Sequence, residues 1–188
     1  MNKAGVFFAE GYEEIEALTV VDILRRAGIE TLMISINKER EVMGAHGITV
    51  KMDAVLAETD FEELDMLILP GGMPGTTNLE SCTPLMEQVD AFYQKGKYVS
   101  AICAAPSIFG HRGMLEGRKA CSYPGMEGEL AGAEVTKNPV AVSEHVTTSR
   151  GMGTAIEFAL TILERFQGRK AADEMAEKIV YVRQQSEA

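Results

Sequence analysis

Short, unbroken apolar runs alternate along this chain with longer stretches in which apolar residues recur at helical spacing. Residues 4–8 (Ala-Gly-Val-Phe-Phe) and 67–69 are runs of the first kind, and 31–36 and 98–102 are nearly so, interrupted by Thr31, Ser35 and Ser100. They predict strands buried on both faces, because a strand with one wet face would alternate polar and apolar positions. Residues 14–27 read as a helix closed by Gly28, residues 84–94 as a second, and a further helical stretch follows Cys103. Residues 48–52 predict a weaker strand after the turn-like Gly44-Ala45-His46-Gly47. Residues 140–143 and 146–149 predict a hairpin through Glu144-His145, and helices near 153–166 and 169–182, separated by Gly168, close the chain. Strand–helix–strand alternation of this kind predicts an α/β fold with a parallel sheet covered by helices on both faces. Residues 116–138, rich in glycine and charge, break the pattern and are the best candidate for an insertion bordering a site.

Length and charge narrow the picture. The 188 residues fit one domain over 1–188, and 46% apolar content supplies a real core. With 18 basic and 28 acidic residues the net charge is −10, and the basic residues are scattered, so a nucleic-acid partner is not expected. No stretch approaches the roughly 18 uninterrupted apolar residues of a membrane span. The first ten residues lack an export pattern, and Cys82, Cys103 and Cys121 are odd in number and without metal-ligand spacing. Together these point to a reducing cytoplasm, with no metal and no cofactor.

In open parallel sheets ligands bind beyond the carboxyl ends of the strands. Three segments fall there: residues 10–16, residues 70–75 and Cys103. Ala101-Ile102-Cys103-Ala104-Ala105-Pro106 places a thiol between small residues where a strand turns sharply into a helix, the requirement of a nucleophile elbow. A helix amino terminus there would lower the thiol pKa, and the Ala104 N–H would face the oxygen of an attacked carbonyl. A buried structural cysteine is the competing reading. Pro70-Gly71-Gly72-Met73-Pro74-Gly75 matches neither dinucleotide nor phosphate-loop spacing; its glycines offer either a second oxyanion N–H or a tight turn. Of Glu13, Glu14 and Glu16, at least two read as solvated acids of a first helical turn, whereas Glu16, a turn further in, is the candidate general acid–base. His46, His111 and His145 are isolated and read as surface residues, and Cys82 and Cys121 carry no assigned role.

Residues 9–16 (Ala-Glu-Gly-Tyr-Glu-Glu-Ile-Glu), 21–28, Leu69-Pro70-Gly71-Gly72, the Cys103 segment, residues 148–154 and residues 157–160 together resemble the ThiJ/PfpI family over nearly the whole chain. The resemblance implies a flavodoxin-like αβα sandwich with a mostly parallel central sheet, a homodimer and a reactive Cys103. It also implies a protonated Glu16 bonded to the Cys103 sulfur, the N–H groups of Gly72 and Ala104 as oxyanion site, and Arg26 and Arg150 near the site or dimer seam. Family activities include glutathione-independent glyoxalase, protein deglycase, oxidation sensor and chaperone, and in one branch protease. Close relatives carry a His-Pro pair facing the cysteine where this chain has Tyr123-Pro124, and the protease branch has His where this chain has Ala104. The expected function is therefore a Cys103-dependent enzyme on small aldehydes or dicarbonyls, of the glyoxalase or deglycase type. A redox-sensing stress protein or chaperone is the alternative. The helix over residues 14–27, apolar on both sides of a stripe formed by Glu16, Thr19, Asp22 and Arg26, also predicts a homodimer.

Overall fold

The computed structural model describes residues 3–183, so of the domain expected over 1–188 the extreme ends lie outside the described residues. The chain runs β1 (Lys3–Phe8), α1 (Glu14–Arg26), β2 (Glu30–Ser35), β3 (Glu41–Met43), β4 (Thr49–Lys51), β5 (Ala54–Val55) and β6 (Met66–Leu69). It continues through α2 (Gly75–Ser81), α3 (Thr83–Gln94), β7 (Tyr98–Ile102), α4 (Pro106–His111), β8 (Lys119–Ala120) and β9 (Glu134–Val135). β10 (Val140–Ser143), β11 (Val146–Ser149), α5 (Ala155–Gln167) and α6 (Arg169–Lys178) complete it.

The central sheet has the order β10-β11-β7-β6-β1-β2-β5. All neighbours are parallel except the β10–β11 hairpin. Successive strand residues point to opposite faces, and the apolar runs feed two cores in this way. Val6, Phe8, Met66, Ile68 and Ile102 pack under α1, α5 and α6. Phe7, Leu67, Leu69, Val99 and Ala101 pack under α2, α3 and α4. Nearly every position of β1, β6 and β7 is buried, so apart from Lys3 and Ser100 these strands are apolar, each large side chain contributing roughly 1.5–3 kcal/mol by burial. Among the described residues no helix is long and apolar enough to cross a membrane.

Several expectations shift. The strand over 48–52 forms, but it pairs with β3 in a separate two-stranded hairpin and never joins the sheet. Helix α2 was not expected, since Gly75-Thr76-Thr77-Asn78 has little helix propensity; close packing of Gly75 on the backbone of Gly11 and Tyr12 holds it in place. Helix α6 stops at Lys178 because Val180 adopts a left-handed conformation, φ 58°. The second apolar flank of α1 is covered by α5 of the same chain, so the helix's two-sided apolarity does not itself call for a second subunit. Ile15, 51% exposed, is what remains uncovered at its amino end.

Candidate active site

The carboxyl ends of β1, β6 and β7 converge, as the parallel sheet requires, on Glu16, Gly71-Gly72 and Cys103. Cys103 follows β7 with φ 66°, a left-handed conformation that costs a non-glycine residue about 1–2 kcal/mol. Its neighbours fix it there: Cys103 N donates to Ser149 O at 3.0 Å, and Tyr123 N donates to Cys103 O at 2.8 Å. Gly71 leaves no room for a side chain, since a Cβ would lie 2.5 Å from Cys103 Cβ and 2.7 Å from Glu16 Oε2. Gly72, at φ 91°, would collide with the amide of Glu13 if it carried one.

Glu16 is 1% exposed on the first turn of α1. Its Oε2 accepts from Gly71 N at 3.0 Å, its carboxyl also accepts from the Met152 amide, and the Cys103 thiol bonds to it. Burial is the main force on this pair. It raises Glu16 to about 7, with the charge of Glu13 adding to the effect and the bonds from Cys103, Gly71 and Met152 opposing it. Burial, then the Glu16 charge and hydrogen bond, push the Cys103 thiol up to about 12, against the backbone N–H groups of Ala104 and Gly72, which favour the thiolate. The two groups titrate as a unit that sheds one proton near neutrality and holds the other far into alkali.

The depressed thiol pKa expected for the elbow is thus not what the structure provides. Helix α4 begins only at Pro106 and has six residues, so its dipole is weak and offset, whereas burial beside a carboxylate is strong. The Glu16 carboxyl and the Cys103 thiol are hydrogen-bonded to each other.

The remaining candidates divide. Gly72 and Ala104 do aim their N–H groups at the cysteine sulfur. Tyr123, 53% exposed, stands at the rim: a Cβ built on Gly151 would lie 3.4 Å from its ring, 3.8 Å from Glu16 Oε1 and 3.9 Å from Cys103 Sγ. Gly151, Tyr123, Glu16 and the Cys103 sulfur thus lie side by side. Arg150 precedes this glycine, but its Nη1 turns to Lys137 O at 3.5 Å and its charge acts on Glu127 and Cys121. Arg26 is not at the site. It is exposed, paired to Asp22 at 2.6 Å, and ten residues from Glu16, about 15 Å along the helix.

The histidines are engaged elsewhere. His46 pairs with the buried Glu14, His111 lies between Glu80 and Glu129, and the His145 ring packs on Tyr93. Cys121 is buried with its thiol donated to Thr148 O at 3.3 Å, and Cys82 lines a groove with Ile36, Leu56 and Phe61. Glu14 was expected to be solvated; it is buried because it accepts both the amide and Nδ1 of His46, tying the β3–β4 turn to α1. Sequence reasoning missed Gly71, the Met152 amide and the approach of Gly151 to the Cys103 sulfur. The Gly-Gly pair was a signal for the first; nothing local signals the other two, which depend on the return of the chain after β11.

Residues 2–165 match the DJ-1/PfpI family. The Protein DJ-1 homolog B of Arabidopsis thaliana is 36% identical over 174 residues, which cover 92% of this chain and 40% of that protein. The chain thus spans about two fifths of that plant relative's length. The glutathione-independent glyoxalase DJR-1.2 of Caenorhabditis elegans is 33% identical over 160 residues, 85% of either chain. Among solved structures, oxidized Toxoplasma gondii DJ-1 superposes with a TM-score of 0.93 at 33% identity, covering 97% of this chain and all of that one.

Proposed function

The chain belongs to the DJ-1/PfpI family, and from that premise we propose that it is a cysteine-dependent enzyme acting on small reactive dicarbonyls such as methylglyoxal. The observation that carries the reading is the buried Glu16 carboxyl against the Cys103 thiol, beside two convergent N–H groups. A relative that is itself a glutathione-independent glyoxalase supports the same chemistry.

In the proposed sequence Glu16 takes the thiol proton as Cys103 sulfur adds to the aldehyde carbon. The aldehyde C=O bond becomes an alkoxide held by the N–H groups of Gly72 and Ala104. The alkoxide is protonated by Glu16, which returns to carboxylate and then removes the proton on the former aldehyde carbon. The resulting enediol takes a proton on the neighbouring carbon, leaving a 2-hydroxyacyl thioester on Cys103. Water hydrolyses this ester, releasing the hydroxy acid and the free thiol. Every group used is supplied by the chain, the substrate and water, and a reduced thiol fits the cytoplasmic location expected from the cysteine usage. Acid quenching during turnover, followed by mass spectrometry of the peptide containing residue 103, tests the reading: a 2-hydroxyacyl adduct on Cys103 is expected, and adducts on lysines and arginines alone would overturn it.

Redox sensing is the second reading, supported by the oxidized form in which the Toxoplasma gondii relative was solved. Two equivalents of peroxide would convert the Cys103 thiol to a sulfinate, releasing water, with Glu16 in its protonated form as the hydrogen-bond donor. A homodimer remains part of the proposal. Its support is the exposure of Ile15, Met43, Ile48 and Met152 on elements gathered around the amino end of α1, where scattered placement would need no explanation but a shared location does.

A further inference from the structure

The hydrogen bonds at the start of α1 close on themselves. Glu13 N donates to Gly71 O at 2.9 Å, Gly71 N donates to Glu16 Oε2 at 3.0 Å, and Glu16 N donates to Glu13 Oε2 at 2.6 Å. Glu13 is the N-cap and Glu16 the third residue of the helix, the spacing of a capping box. In that motif the third residue's carboxylate folds back onto the N-cap amide. Here the Gly71 carbonyl has taken the N-cap amide, so Glu16 is released from its own helix and turned into the site. The cap itself is unusual. Ser, Thr, Asp and Asn are the common N-caps, and a half-buried Glu in their place brings a second carboxylate to the edge of the Cys103–Glu16 pair.

We infer that Glu13 is a positioning residue for the site: its carboxylate orients Glu16 by holding the Glu16 amide, and acts on the proton shared with Cys103 as a neighbouring like charge. The groups facing Glu16 are the Cys103 thiol from the elbow after β7, Glu13 from the cap, the amides of Gly71 and Met152, and the Tyr123 ring across Gly151. Among the described residues no Lys, Arg or His is in this set, so Glu13 is the charged side chain that acts on Glu16 beside the thiol, and it acts to keep the proton on. The inference deepens the dicarbonyl reading and rests on it for what the proton is used for. The proton's position can be read without turnover.

The test is the rate of Cys103 alkylation by iodoacetamide against pH in the parent, Glu13→Gln and Glu13→Ala, with the Glu16 carboxyl titrated by carbon NMR in the same proteins. Glu13→Gln keeps an oxygen for the Glu16 amide and removes the charge. The midpoint for loss of the first proton should move roughly half a pH unit or more toward acid, with the plateau rate within about twofold of the parent. Glu13→Ala loses the oxygen as well, so the same acid shift should come with a plateau roughly tenfold lower. An unmoved midpoint in Glu13→Gln, or equal plateaus in the two variants, would overturn the inference. A protein that shows these shifts and forms no hydroxy acid retires the dicarbonyl reading while keeping the role of Glu13. Hydroxy acid formation with an unmoved midpoint does the reverse.

Discussion

The carboxyl of Glu16 and the thiol of Cys103 meet in a site where burial raises both, to about 7 and about 12. Neither residue has this property alone. Glu16 is drawn off its helix by the Gly71 amide, and Cys103 is held in a left-handed turn, so the pair exists only once β1, β6 and β7 lie side by side.

Replacing Glu16 should separate function from stability. Its folded pKa, about 7, lies above the unfolded value near 4.5. Between those values the native state binds the proton more tightly, so stability falls as pH rises, and above 7 the whole cost of the buried charge is present. That cost is roughly 3 kcal/mol. Glu16→Gln should therefore be more stable than the parent in urea at pH 8, by up to this amount, with the difference vanishing toward pH 4. Dicarbonyl turnover should fall by about 100-fold or more, the usual contribution of a general acid–base.

With Glu16 taking its proton as proposed, Cys103 should be the first thiol to react despite its raised pKa, and it is only partly buried. Cys121 is buried and its thiol is both raised by burial and donated to Thr148. Timed alkylation at pH 7.5 with peptide mapping should label Cys103 several-fold faster than Cys121 or Cys82. Equal rates would remove the activating role given to Glu16.

Much of this site was legible in the chain. A Cys with alanines two residues to either side at a strand end, paired glycines at the end of another strand, and a Glu three residues into a helix each have a local signature. Glu13 did not, because a first-turn acid is usually solvated, and its role arises from the Gly71 carbonyl arriving from β6. The thiol pKa was misjudged for the same reason: a helix terminus is visible in sequence, whereas burial beside a carboxylate is a tertiary property. Of the β3–β4 hairpin only the strand over 48–52 was legible, because three-residue strands carry too little pattern to reveal their partner.

Tyr123 stands half-exposed at the rim beside Gly151. Tyr123→His should raise dicarbonyl turnover several-fold and add an ionisation near pH 6.5 to the rate profile. A folded variant with lower turnover would show that the Tyr123 hydroxyl is itself used.

Sedimentation at micromolar concentration should give a species of twice the 20.4 kDa chain mass. Ile15→Glu, which places a charge on the uncovered end of α1, should shift it to the monomer. A parent that sediments as a monomer would leave the exposed apolar residues without the second copy proposed for them.

The most direct test of the central claim is to mix the reduced protein with methylglyoxal, in the absence of glutathione, and quantify lactate. The account predicts many equivalents of lactate per chain, lost in Cys103→Ser and Glu16→Gln, with Cys103 recovered as a free thiol. No lactate from a folded, reduced protein whose Cys103 oxidises readily to the sulfinate would contradict it.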